Sequence, residues 1–195
     1  MKTIEKIKEK FNGWFEKNEE FSLREFTEID VSEDPVRPEL SLEFRISHGR
    51  KIYGLLDKHK TLMAFICVAF TNDIPRDVNE LDVMSKDAHL QSVLRDSRVG
   101  RVAVAYTVWA KKKGGGKHIV NEIYKKFKRE DHIDRLVTLS PITTMAEKFH
   151  LSNGATCLQQ NANTVNYEYD ITLEEWEQRF KNLRDKFSSY KWTIK

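Results

Sequence analysis

Ile4, Ile7, Phe11, Trp14 and Phe15 recur at helical spacing with charged residues between them, which predicts an amphipathic N-terminal helix over 1–17. From Phe21 to Pro38 single apolar residues alternate with acids and two prolines, the pattern of a loop or a sheet edge. Leu40, Leu42, Phe44 and Ile46 then alternate with polar neighbours, the period of a half-buried strand, and after a turn at 47–50 the apolar run 52–56 follows. Residues 62–70 are apolar on both faces, as in a central strand, and Asn72 to Pro75 end the run. Residues 76–100 are polar and read as helix and loop. The segment 101–109 is β-branched and aromatic, the clearest strand of the chain. Past three glycines, Ile119, Ile123 and Phe127 mark one helix face while Lys125, Lys126, Lys128 and Arg129 take the other. A strand at 135–139 stops at Ser140-Pro141. Leu173, Trp176, Phe180, Leu183 and Phe187, behind Thr172, predict a last helix over 172–189.

Strand, glycine-rich turn, helix and strand in succession form a βαβ-type unit, so the expected class is a mixed α/β sheet with flanking helices. The composition fits one folded domain spanning 1–195: 39% hydrophobic residues, 32% charged, only 4 Pro and 8 Gly. No apolar run approaches the roughly 20 residues needed to span a bilayer, and the first residues are charged rather than signal-like. Cys67 and Cys157 have no metal-ligand spacing, so a reducing cytoplasm, free thiols and no metal are expected.

The formal net charge of +3 conceals an uneven distribution. Residues 101–130 hold nine basic and two acidic side chains, a net of +7, which leaves −4 for the rest. Five of the nine, Arg101 included, are read as belonging with the glycines, and that concentration suggests one anionic ligand held at one place. Gly114, Gly115 and Gly116, between Lys111 to Lys113 and Lys117, let backbone N–H groups and a helix N-terminus approach a phosphate. The spacing is neither that of a P-loop nor of a dinucleotide fingerprint, since Ile119 stands where the last glycine would fall. Lys111-x-x-Gly114-x-Gly116 instead resembles the pyrophosphate loop of the GCN5-related N-acetyltransferases. The lysines are not interleaved with aromatics, so nucleic acid is not an expected partner.

The next stretch is nearly free of charge. Of the 32 residues from Leu136 to Tyr167 only Glu147 and Lys148 are charged, while Ser, Thr, Asn and Gln abound. Buried neutral polar groups must find partners, and a substrate-lining region would have this composition, as would a polar interior layer. Within it Ser140 stands where Pro141 ends a strand and exposes the side chain at its edge, and His150 is the one imidazole able to move protons near pH 7.

Thr138-Leu139-Ser140-Pro141-Ile142, Phe149-His150-Leu151-Ser152-Asn153-Gly154-Ala155 and Val165-Asn166-Tyr167-Glu168-Tyr169 together resemble the signature set of the malonyl-CoA decarboxylase family, and the likeness extends over 40–170. It implies a GCN5-related N-acetyltransferase-like fold that binds an acyl-CoA substrate and needs no further cofactor. It also implies a catalytic set of Ser140, His150 and Tyr169. The CoA would lie on Val108, Lys111, Gly114, Gly115, Gly116, Lys117 and His118, with Asn153 and Asn166 in the substrate pocket. Loss of CO₂ from a malonyl thioester leaves an enolate, so the site needs donors on the thioester oxygen and a proton for the α-carbon. His150 is read as the proton donor, Ser140 as an oxyanion donor or a transient acyl acceptor, and Tyr169 as a second donor or orienter. The chain departs from the family in its short lead-in, in having only 143–148 between the first two motif blocks, and in carrying Gly114 where the family has an acid. The alternative expectation is an acyl-CoA-dependent N-acyltransferase on the same fold, with Glu122 or Tyr169 as base. A homo-oligomer is compatible with either.

Overall fold

A computed structural model describes residues 21–95 and 100–172. The helices expected over 1–17 and 172–189 lie outside the described residues, apart from Thr172. The elements in order are β1 (Phe21–Phe26), α1 (Leu42–Ile46), β2 (Lys51–Asp57), β3 (Leu62–Thr71), α2 (Val78–Arg95), β4 (Val102–Ala110), α3 (Gly115–Lys128), β5 (Arg135–Thr138), β6 (Ser140–Pro141), α4 (Thr144–Ser152), β7 (Thr156–Gln160) and β8 (Thr164–Tyr169). One mixed sheet runs β1-β2-β3-β4-β5-β8-β6, with β7 pairing on the far side of β8. The expected mixed α/β class holds, and the apolar run at 62–70 is a central strand, buried from Ala64 through Ala69.

β4, α3 and β5 form the βαβ unit, and β4–β5 is the parallel pair. The crossover helix is seated because Ile119, Ile123 and Phe127, all 0–1% exposed, pack on the sheet face built from Leu55, Ile66, Val68, Ala103 and Leu136. Each such side chain contributes roughly 1.5–3 kcal/mol on burial, which outweighs the weak intrinsic helicity of a segment that begins with two glycines. The opposite face carries Ile52, Phe65, Cys67, Val104, Tyr106, Trp109 and Leu139, covered by Leu81 of α2 and by Leu42 and Phe44 of α1.

Residues 40–46 correct the sequence expectation: this segment is helical rather than a strand. Ser41 caps the turn, its Oγ accepting from Phe44 N at 3.1 Å. The alternation of apolar residues is overridden by Arg45, which is fully buried and donates to Asp34 Oδ2 at 2.6 Å and to Leu40 O at 3.1 Å. A strand would have turned that guanidinium away from its carboxylate. Ser140-Pro141 does not end the sheet either. It moves over to β8, Ser140 facing Val165 and Pro141 facing Thr164, so Ser140 is buried, not exposed at an edge.

Two irregularities create the central opening. The pairing of β4 with β5 runs from Val102↔Arg135 to Ala105↔Thr138 and closes with Leu139 N donating to Ala105 O at 2.9 Å. Beyond that point β4 continues to Ala110 while the other strand has crossed to β8. At the same level β4 bulges: Cys67 pairs with Thr107 and Val68 with Ala105, leaving Tyr106 as an extra residue that bends the strand.

Candidate active site

The gap between the diverging strands is a cleft of about 210 Å³. Its walls include Ala105, Thr107 and Val108 of β4, Leu139 to Pro141 opposite, Met145, Phe149 and His150 of α4, and Gly116 at the start of α3. Among the described residues no charged side chain lines it.

At the narrow end Ser140 Oγ lies 2.7 Å from His150 Nε2, and His150 Nδ1 lies 2.9 Å from Tyr169 Oη. Three separate elements supply the chain. β6 brings Ser140, α4 brings His150 in its last turn, and β8 brings Tyr169. Thr143 caps α4 by accepting from Ala146 N, and Tyr167 stacks on the imidazole with centroids 4.8 Å apart, which fixes the ring plane. All three side chains are buried. Burial alone pushes the His150 pKa down to about 4, so the ring is neutral at pH 7, and pushes the Tyr169 phenol well above its ordinary value, so it keeps its proton.

These constraints order the hydrogens. The buried Tyr169 Oη has no hydrogen-bond partner other than His150 Nδ1 among the described residues, so the phenol places its hydrogen there and Nδ1 accepts. A neutral ring with Nδ1 unprotonated carries its hydrogen on Nε2 and donates it to Ser140 Oγ. Ser140 in turn donates to Thr138 Oγ1 at 3.2 Å, which also accepts from Tyr167 N at 3.1 Å. In this arrangement Ser140 is a link in a donor chain, and the imidazole does not draw off its proton.

The residues expected to hold a CoA are spread over three surroundings. Val108 and Gly116 line the cleft. Gly114, at φ 84°, turns the chain into α3, whose N-terminus has no side-chain cap; Gly115 N donates to Lys112 O at 3.0 Å, while the N–H groups of Gly116 and Lys117 have no backbone acceptor among the described residues and so are available to a ligand. Gly115 is required by packing, because a Cβ there would sit 2.5 Å from Met63 O. Lys111 is drawn to Glu33 at 2.5 Å. Lys117 and His118 face a separate groove of about 730 Å³, together with Asn153. Arg101 is not part of the glycine turn at all: it pairs with Asp134 at the other end of β4.

Asn166 is not brought to the cleft. Fully buried, it donates to Pro75 O at 3.1 Å and Thr138 O at 2.8 Å and accepts from Gln159 Nε2 and Asn161 Nδ2. All its capacity is used in tying β8 to β5, to β7 and the turn after it, and to the loop after β3. Asn153 caps the end of α4, its Nδ2 donating to Phe149 O at 2.7 Å. The charge-free stretch is thus part cleft lining and part internal stitching.

Sequence reasoning missed Val36, Thr107 and Arg37. Thr107 Oγ1 meets both oxygens of Asp34 at 2.9–3.0 Å, and one nitrogen of Arg37 donates to Leu139 O at 3.2 Å. No local signal marks them, since Thr107 and Arg37 act through partners 73 and 102 residues away and Val36 reaches the cleft only because its neighbours Asp34 and Arg37 are held there.

No family model and no curated protein sequence matches the chain. Among solved structures it is similar to malonyl-CoA decarboxylase from Cupriavidus metallidurans (15% identity, 78% of this chain and 61% of that one, TM-score 0.57). It is also similar to the enzyme of that name from Agrobacterium vitis (16%, 89% and 65%, TM-score 0.59) and to the loading GNATL domain of CurA from Lyngbya majuscula (11%, 77% and 98%, TM-score 0.51). The chain spans less than two thirds of the length of the two decarboxylases. At these identities the likeness establishes the fold, which is that of the GCN5-related N-acetyltransferases.

Proposed function

We propose that the chain is an acyl-CoA-using enzyme that converts malonyl-CoA, or a close malonyl thioester, to acetyl-CoA and CO₂. The observation that carries the reading is the Ser140–His150–Tyr169 chain, set at the narrow end of an uncharged cleft whose wide end meets the N-terminus of α3. The fold shared with two decarboxylases of malonyl-CoA supports it. The phosphates of the thioester would rest at Gly114 to Gly116, where N–H groups and the helix dipole favour anions. Its pantetheine arm would then run along β4 past Val108 to Ser140.

In such a pocket the malonyl carboxylate has no ion partner and little water, which favours its departure as neutral CO₂. The C–C electron pair becomes a thioester enolate, which needs one proton at the α-carbon. Ser140 turns its hydroxyl from Thr138 to the substrate and passes that proton on. It is refilled by His150 Nε2–H, while Nδ1 takes the phenolic proton of Tyr169. The imidazole ends neutral with its tautomer reversed, and solvent returns one proton to Tyr169. The enolate of a thioester is far more basic than a phenol, so the relay runs downhill.

The test is incubation of the purified chain with malonyl-CoA while acetyl-CoA and CO₂ are followed by chromatography, beside Ser140→Ala and His150→Gln. The expected loss in either variant is about 10²–10⁴-fold. Acetyl-CoA no faster than in the His150→Gln variant, with acylation of an added amine, would sink this reading in favour of acyl transfer.

A further inference from the structure

Between β1 and α1 the chain crosses the narrow end of the cleft, and it is tied to both walls there. Asp34 holds Thr107 on the β4 side. Arg37, three residues on, donates to Leu139 O on the other side. Asp34 is itself fixed by Arg45, and its Oδ1 also accepts from Val36 N at 2.8 Å and Arg37 N at 3.3 Å. The half-buried Val36 therefore lies across the gap just past the last β4–β5 pair, at Ala105↔Thr138, and lines the cleft beside Ser140 and Leu139. The opposite end opens between Gly116 and the exposed Met145.

We propose that Val36 is a specificity-determining residue that closes the acyl end of the cleft and limits the acyl chain to a few carbons. The inference rests on the acyl-CoA reading above and gives it direction. A thioester whose phosphates sit at the start of α3 enters from the wide end, so its acyl tail points to the vertex. There the strap offers one branched apolar side chain, held by two hydrogen-bonded anchors that leave it little room to yield. A longer tail meets Val36, and a shorter one leaves the vertex unfilled.

Dissociation constants for acetyl-, butyryl- and hexanoyl-CoA, measured by calorimetry on wild type, Val36→Gly and Val36→Phe, test this. Wild type is expected to prefer acetyl- over butyryl-CoA by roughly 10-fold or more, the scale at which an apolar pocket discriminates added methylenes. Val36→Gly should erase or reverse that preference, and Val36→Phe should weaken all three. Unfolding midpoints for each variant show whether the strap has kept its place, and Val36→Phe serves as the second reading should the glycine variant loosen. Binding with the same chain-length ladder in all three proteins overturns the role of Val36 and leaves the acyl-CoA reading intact. No binding of any thioester by wild type overturns both.

Discussion

At pH 7 the His150 imidazole is uncharged, because burial pushes its pKa down to about 4 against 6.5 for a free side chain. The unfolded chain binds the His150 proton between those two values while the folded one does not. Stability therefore rises with pH across that window and is lost as pH falls from about 6.5 through about 4. The difference amounts to on the order of 3 kcal/mol. Urea unfolding at pH 7.5 and 4.5 should show a steeper acid loss for wild type than for His150→Gln, and equal slopes would rule the buried neutral ring out. At this scale the motif blocks named Ser140, His150 and Tyr169 from the sequence, and the structure joins them through 2.7 and 2.9 Å contacts. What the sequence could not convey is direction. That Tyr169 donates depends on its burial and on its lack of another partner among the described residues, which are properties of packing. Asn166 misled for the same reason: a neutral amide beside a motif tyrosine fits a substrate contact or a saturated interior bridge equally well, until its four partners are counted.

Among the elements, α3 shows how one short turn meets two demands. Gly114 supplies the left-handed turn, and Gly115 lets the helix start against the Met63 carbonyl, which also accepts from Lys111 N at 2.8 Å and Lys112 N at 3.1 Å. Gly115→Ala would gain up to about 1 kcal/mol of helix propensity but force backbone apart, an overpacking that costs about 1–3 kcal/mol. Its unfolding midpoint should drop, whereas Gly116→Ala, which meets the Phe149 ring edge at 3.3 Å, should change far less. A Gly115→Ala protein as stable as wild type would refute the close-approach argument. Central strands and the crossover helix were legible because their periodicity is their packing. Residues 40–46 were not, because a five-residue helix offers little periodicity and its cause, a buried arginine seeking Asp34, lies outside the window. The bulge at Tyr106 was equally hidden, since 101–109 reads as an unbroken strand.

Across the whole molecule, the Asp34–Arg45 pair couples parts that share no sequence neighbourhood. Both side chains are fully buried, and together they join the strap over the cleft, the short helix α1 and the bulged half of β4. Burying two charges costs several kcal/mol in desolvation, offset here by multiple hydrogen bonds, so the net stabilisation from the pair is small while the cost of halving it is large. Asp34→Ala leaves Arg45 buried beside the Trp109 ring with its carboxylate gone, and a loss of about 3–5 kcal/mol is expected. Arg45→Met strands the Asp34 carboxylate in the same way, though Thr107 still donates to it. The double variant removes both charges and should unfold at lower urea than wild type but at higher urea than Asp34→Ala. The coupling energy from the four proteins is then large and favourable. Strict additivity of the two single losses would show that each side chain acts alone, and the strap would then need another anchor. Because the double variant recovers part of the lost stability without restoring the tie to Thr107, it also separates folding from function. A protein that folds well yet has lost its acyl-chain preference would locate specificity in the strap rather than in the sheet that carries Ser140 and Tyr169.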